Sequence, residues 1–123
     1  MSALALKETC SPSLAPGGDA IDLDHLSRMT LGERSLEREV LALFLRQAEI
    51  MLAKMELAAN PAVAAAAAHT LKGSALGIGA WPVARAAEAV EQAVETELTV
   101  AVGALSAAIE DAREAIVGLL RAH

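Results

Sequence analysis

Ala68-His69-Thr70-Leu71-Lys72-Gly73-Ser74 closes a run in which every residue from Ala64 to Ala68 is alanine. Alanine is the strongest helix former, so the segment reads as helix. Yet it holds a glycine, which costs roughly 0.8–1 kcal/mol relative to alanine in a helix interior. A chain this rich in alanine has a ready alternative, so Gly73 reads as a purposeful choice. It lies four residues after His69, and Lys72 lies three after it; both spacings make neighbours on a helix surface. An imidazole set between a cation and bare backbone is the arrangement of a nucleophile that a large partner must reach.

The punctuation on either side frames a helical bundle. Asn60-Pro61 is a start signal, an N-cap asparagine followed by proline at the first helical position. Gly77-Ile78-Gly79 predicts the end or bend of that helix. Upstream, a short amphipathic helix is expected from Ile21 to Met29, burying Ile21, Leu23, Leu26 and Met29. Thr30-Leu31-Gly32-Glu33 has capping-box spacing and opens a helix reaching about Ala58, with Leu41, Phe44, Ala48, Met51 and Met55 as its apolar stripe. Downstream, Trp81-Pro82 starts a helix carrying Val83, Ala87, Val90 and Val94. After a turn near Glu95-Thr96, a last helix buries Leu98, Val102, Leu105, Ile109, Ala112, Ile116 and Leu119. Its final turn holds Arg121 and His123, which suit the helix dipole. Four long helices with short connections pack antiparallel to their neighbours. The fold class is all-α: an up-down-up-down antiparallel four-helix bundle with a short additional N-terminal helix. Residues 1–19, rich in Ser, Pro and Gly, read as a flexible leader to a domain spanning 20–123.

Composition excludes several classes of function. The chain has 123 residues, a formal net charge of -6, one Phe, one Trp and no Tyr. That acidity argues against nucleic-acid binding, which needs clustered Lys and Arg. Cys10 is the single cysteine, so there is no internal disulfide or cysteine-rich metal site. No basic n-region or long apolar stretch marks a signal or a membrane span. A cytoplasmic monomer is the expectation. No metal site is expected either, because His69 has no His or acidic residue three or four positions away. The Met29, Met51 and Met55 set reads as gap-filling core, and His25 as a surface or partly packed residue.

At 100° per residue, His69 shares a face with Ala62, Ala65, Ala66, Lys72, Gly73 and Leu76. Val63, Ala67, Leu71, Ser74 and Ile78 fall on the opposite, core side. A neutral imidazole is a good nucleophile near neutrality, its unperturbed pKa being about 6.5. Lys72 would offset the charge of a phosphoryl group on that ring, and Gly73 would leave a partner's loops room. Nothing near His69 in sequence supplies Mg²⁺ ligands, so a metal and an acceptor carboxylate must belong to the partner.

Residues 68–75 with the Gly77-Ile78-Gly79-Ala80 exit resemble the signature of histidine-containing phosphotransfer (HPt) domains. These domains move phosphoryl groups between receiver-domain aspartates in multistep two-component relays, and their fold is a four-helix bundle with an exposed histidine midway along one helix. The resemblance spans residues 20–123. It implies that His69 is the phospho-acceptor, Lys72 its charge neighbour and Gly73 the clearance residue. Glu88 fits an acidic position of the following helix. Some members orient a glutamine from that helix towards the histidine ring; here Glu91 stands near that place, with Gln92 beside it. The implied partners are receiver domains of response regulators or hybrid histidine kinases, docking on Ala65, Ala66, Leu76 and exposed positions of the helix from Glu33 to Ala58. No cofactor is bound by this chain, Mg²⁺ is expected in the receiver, and the chain is a phosphocarrier rather than an enzyme.

Two other readings compete. One is a non-catalytic module of the same fold that docks on and inhibits a histidine kinase or receiver; such a module need not keep His69, Lys72 and Gly73 together. The other is a structural or oligomerising bundle. It requires an extra apolar surface stripe, and Glu37, Arg38, Arg46 and Glu49 mark polar outer faces instead.

Overall fold

A computed structural model describes residues 19–122. The proposed leader, apart from Asp19, lies outside the described residues, as do Cys10 and His123. Helix α1 spans Leu23–Met29, α2 Arg34–Glu56, α3 Pro61–Ile78, α4 Trp81–Gln92 and α5 Leu98–Ala122, with one 3₁₀ turn at Glu95–Glu97. There is no strand among the described residues. Helix α3 packs against α2 and α4, α5 closes the ring on α4 and α2, and α1 lies on α3. This is the up-down-up-down four-helix bundle with a short N-terminal helix. No described helix is long and apolar enough to cross a membrane.

The core sets large side chains of α2 and α5 against a face of α3 that is mostly alanine. Leu41 and Phe44 of α2 and Leu105, Ile109 and Ile116 of α5 are buried, against Ala64, Ala67, Ala68, Leu71 and Ala75 of α3. Methyl groups at the contact let helices approach closely, and that explains Ala64, Ala67 and Ala68 of the alanine run, which line the inner side of α3. Asn60 caps α3 as read, its side chain accepting from the Val63 N–H at 3.1 Å.

The expected capping box at Thr30 does not form. Thr30 ends α1 instead, its hydroxyl donating to the Leu26 carbonyl at 2.9 Å and to Glu37 at 3.3 Å. Leu31 and Gly32 follow with φ of 55° and 74°, and their N–H groups bond back to the Arg28 and Ser27 carbonyls, a Schellman closure. Two left-handed residues swing the chain away, so α2 begins at Arg34 with Glu33 as an N-cap that makes no side-chain cap bond. Leu23 and Met29 are exposed rather than core, and Met51 is half-buried while Met55 is buried. Helix α4 stops at Gln92, where Ala93 turns extended, so Val94 is exposed rather than part of the apolar stripe.

Gly77 does not break α3; the stop is Gly79, left-handed at φ 81°. Its carbonyl accepts from the Asp22 N–H at 2.9 Å. The Asp22 carboxylate accepts from the His25 N–H and the Trp81 indole N–H, at 3.1 and 3.0 Å. These bonds hold that carboxyl below the usual range despite partial desolvation. His25 is half-buried with its ring edge-on to Trp81, centroids 4.9 Å apart. A Cβ on Gly79 would stand 3.0 Å from the Asp22 Cβ, 3.1 Å from its carbonyl oxygen and 3.2 Å from the His25 Cβ. Gly79→Ala therefore combines left-handed strain with a clash against backbone. It is expected to destabilise the fold by about 2 kcal/mol or more, read as a lowered urea midpoint at unchanged slope.

Candidate functional site

Helix α3 turns its outer face to solvent midway along the bundle. Ala62, Ala66, His69, Gly73 and Leu76 are exposed there, with Ala65 and Lys72 half-buried. The core face differs from the periodicity reading at two places. Val63 is exposed and Ser74 half-buried, while Ala64, Ala68 and Ala75 turn inward. The reason is that α3 is buried from two sides, by α2 and α4, so its core arc is wider than one stripe.

Glu91 assembles the site. Val90 and Ala87 bury against the core, which sets Glu91 on the flank of α4 facing α3. One carboxylate oxygen stands 2.7 Å from His69 Nδ1 and the other 2.7 Å from Lys72 Nζ. Lys72 and, secondarily, His69 hold the Glu91 carboxyl below its usual range against the opposing effect of burial. The same carboxylate pushes the Lys72 ammonium up. An ionised carboxylate only accepts hydrogen bonds, so His69 Nδ1 carries the proton and Nε2 carries the lone pair. The His69 side chain is 72% exposed. The ring is thus anchored through Nδ1 and otherwise largely open to solvent.

The other candidates fall into place around this bridge. A Cβ at Gly73 would meet nothing within 4 Å, so close helix packing does not explain that glycine, and the surface beside the ring is open. Glu88 does not touch the ring; it accepts from the Gln92 amide at 3.2 Å on the exposed side of α4 and adds its charge to what keeps Lys72 protonated. Gln92, spent on Glu88, does not reach His69 either. Thr70 back-bonds to the Ala66 carbonyl at 3.3 Å. Ser74 donates to the Gln47 side chain, tying α3 to α2. That tie went unread in the sequence because nothing in one helix's periodicity points to a polar partner on another.

The sequence model of the Hpt domain matches residues 39–120, from within α2 to the end of α5 and including His69. The chain belongs to the Hpt domain family. A search among curated proteins finds no match. The X-ray structure of a rice chain described as a histidine-containing phosphotransfer protein superposes with a TM-score of 0.72. It covers 85% of this chain and 82% of that one at 17% identity, a likeness of fold. Family membership carries the coarse function, histidine phosphotransfer in relays with partner kinases and receivers.

Proposed function

We propose that this Hpt domain is a phosphocarrier, taking a phosphoryl group onto His69 Nε2 from a receiver-domain aspartyl phosphate and passing it to a second receiver aspartate. The observation that carries the reading is the Glu91 bridge, which leaves Nε2 as the free nitrogen of a ring largely open to solvent. In the first step the Nε2 lone pair attacks phosphorus, the P–O bond to the aspartate breaks, and the carboxylate leaves. The ring becomes cationic while Nδ1 keeps its proton against Glu91. In the second step an aspartate oxygen attacks, the P–N bond breaks, and its electron pair returns to the ring. No proton need move in either step. Lys72 holds Glu91 with one of three N–H donors and has others to offer the phosphoryl oxygens.

Mg²⁺ and the acceptor carboxylate are assigned to the receiver, of a response regulator or hybrid histidine kinase, so this chain is a carrier rather than an enzyme. Receivers would dock on the small and apolar surface formed by Ala65, Ala66, Gly73 and Leu76. Transient exchange suits an interface of modest area. The test is incubation with radiolabelled phosphorylated receivers, scoring acid-labile label on the chain.

Gly73→Gln separates the clearance role from folding. Glycine is the poorer helix former by roughly 0.5–1 kcal/mol and the site is open, so thermal stability should hold or rise. The long side chain beside His69 should slow transfer about tenfold or more by obstructing docking. Unchanged transfer with a raised Tm would refute the clearance role.

A further inference from the structure

Helix α2 presents one cation to the groove beside His69. Its charged side chains from Glu39 onward fall into rows seven residues apart, and such rows keep one direction along a helix to within about 20°. Glu49 bonds Arg113 of α5 at 2.7 Å, so Glu56 in the same row is turned towards α5 as well, where it lines a groove with Leu98 and Val102. Glu39 and Arg46 form the row one residue before that of Gln47, about 100° round the helix and away from both neighbours. Gln47 bonds Ser74 of α3, and Lys54 is the next residue of its row. Lys54 is therefore the charged side chain that this length of α2 turns towards α3.

The Ser74–Gln47 bond also fixes the level of α3 on the antiparallel α2. His69 is then level with about residue 52 of α2, and Lys54 lies only about 3 Å further along the axis. Lys54 lines the groove between the two helices with Met51, Val63, Ala66 and Thr70. Ala66 and Thr70, on either side of His69 in α3, separate the lysine from the ring, so Lys54 stands at the rim of the site rather than on the reacting nitrogen. It is exposed and has no ion-pair or hydrogen-bond partner among the described residues. The two flanks of His69 thus differ in charge. On the α4 side Lys72 is outnumbered by Glu91, which it bonds, and Glu88. On the α2 side the unpaired charge is a cation.

A receiver must bring acid to this surface. It carries the acceptor carboxylate, and Mg²⁺ is itself bound through carboxylates and phosphate oxygens. At a formal net charge of -6, this chain repels such a partner at long range. We propose that Lys54 is a positioning residue for transfer, pairing with a carboxylate on the rim of the receiver's phosphorylation site and orienting the receiver over His69 from the α2 side. This role rests on the phosphocarrier reading and adds to it the chemistry by which the partner is held. Lys54 also stands in the last turn of α2, where a cation suits the helix dipole. A purely structural role of that kind lowers Tm and leaves docking unchanged.

Rapid-quench transfer from a labelled phosphorylated receiver, over a range of receiver concentrations, separates docking from chemistry. Lys54→Gln should raise the half-saturating receiver concentration about threefold and Lys54→Glu about tenfold. The maximal rate should stay within about twofold of the parent's, and Lys54→Arg should match the parent in both. In about 1 M salt, where the screening length is about 3 Å, these differences should vanish. Arg121→Glu makes the same change of net charge as Lys54→Glu at the opposite end of the bundle, beside the Leu120 carbonyl that Arg38 holds, and should leave docking at the parent's value. Lys54 variants indistinguishable from the parent overturn the proposal, as does an Arg121→Glu effect equal to that of Lys54→Glu. A fall confined to the maximal rate puts Lys54 on the phosphoryl group and equally overturns it. A parent that takes no label defeats the phosphocarrier reading, and the role of Lys54 falls with it; a labelled parent with indifferent Lys54 variants defeats this role alone.

Discussion

A His69→Gln variant is expected to accept no acid-labile phosphoryl group from any receiver while folding as its parent does. Glutamine offers an amide nitrogen whose lone pair is delocalised into the carbonyl, so it cannot attack phosphorus. The loss should be complete to the limit of detection, on the order of a thousandfold or more, because no other nucleophile stands in the patch: Thr70 and Ser74 are both engaged. The fold should not register the change. The His69 side chain is 72% exposed and supports the bundle only through Glu91, which keeps Lys72 as a partner. Glutamine is also at least as good a helix former as histidine, so Tm should move by no more than a few degrees. Labelled receivers and thermal melts on both proteins provide the check. Acid-labile label on the variant would remove His69 from its role. Receivers that bind both proteins and label neither would move the assignment to a docking inhibitor.

What the chain makes legible is governed by how local each determinant is. The five helices follow from local signals: the Asn60-Pro61 start, the Trp81-Pro82 start and the stripe from Leu98 to Leu119. Failures occur where a residue's partner lies outside its own helix. Thr30-x-x-Glu33 has capping-box spacing, but the Schellman closure at Leu31 and Gly32 turned Thr30 back onto α1. Gly77 and Gly79 look alike in sequence, and only the approach of Asp22 and His25 distinguishes the one that must be glycine. The exposed apolar row of Leu36, Leu43 and Ile50 on α2 is not legible in the sequence for a related reason. Its residues lie beside a core stripe in the same helix, and which of two apolar rows is covered depends on where α3 and α5 sit. At the site, His69, Lys72 and Gly73 share one helix and could be grouped by spacing. Choosing among Glu88, Glu91 and Gln92 required the rotation of α4 against α3, which periodicity locates only to within a residue or two.

That rotation makes Glu91 the residue with the second largest expected effect. It is a positioning residue, fixing which nitrogen of His69 is free and where Lys72 stands. Glu91→Ala removes both constraints at once: Nδ1 loses its acceptor, the ring turns and exchanges tautomers freely, and Lys72 is released. Loss of a carboxylate that orients a reactive histidine commonly costs about 10- to 100-fold, and a fall in transfer rate of that size is expected. Glu91→Gln should be intermediate, since an amide oxygen can still accept from Nδ1 while its NH₂ cannot accept from Lys72. A merely structural role would lower Tm and leave the ring alone, so the deciding readout is the nitrogen NMR of His69. The parent should show the Nδ1–H tautomer at neutral pH, and Glu91→Ala a mixture. Acid supplies a second test. The folded Glu91 carboxyl titrates below its ordinary value of 4.5, so its stabilising contribution is fully present above that value and is lost as pH falls through the lowered one. The gap in urea midpoint between the parent and Glu91→Gln should therefore be flat from neutrality down to the ordinary value, then close in stronger acid. A gap that persists unchanged at the acid end, with the ring tautomer also unaltered, would mean that Glu91 neither holds the proton nor sets the nucleophile.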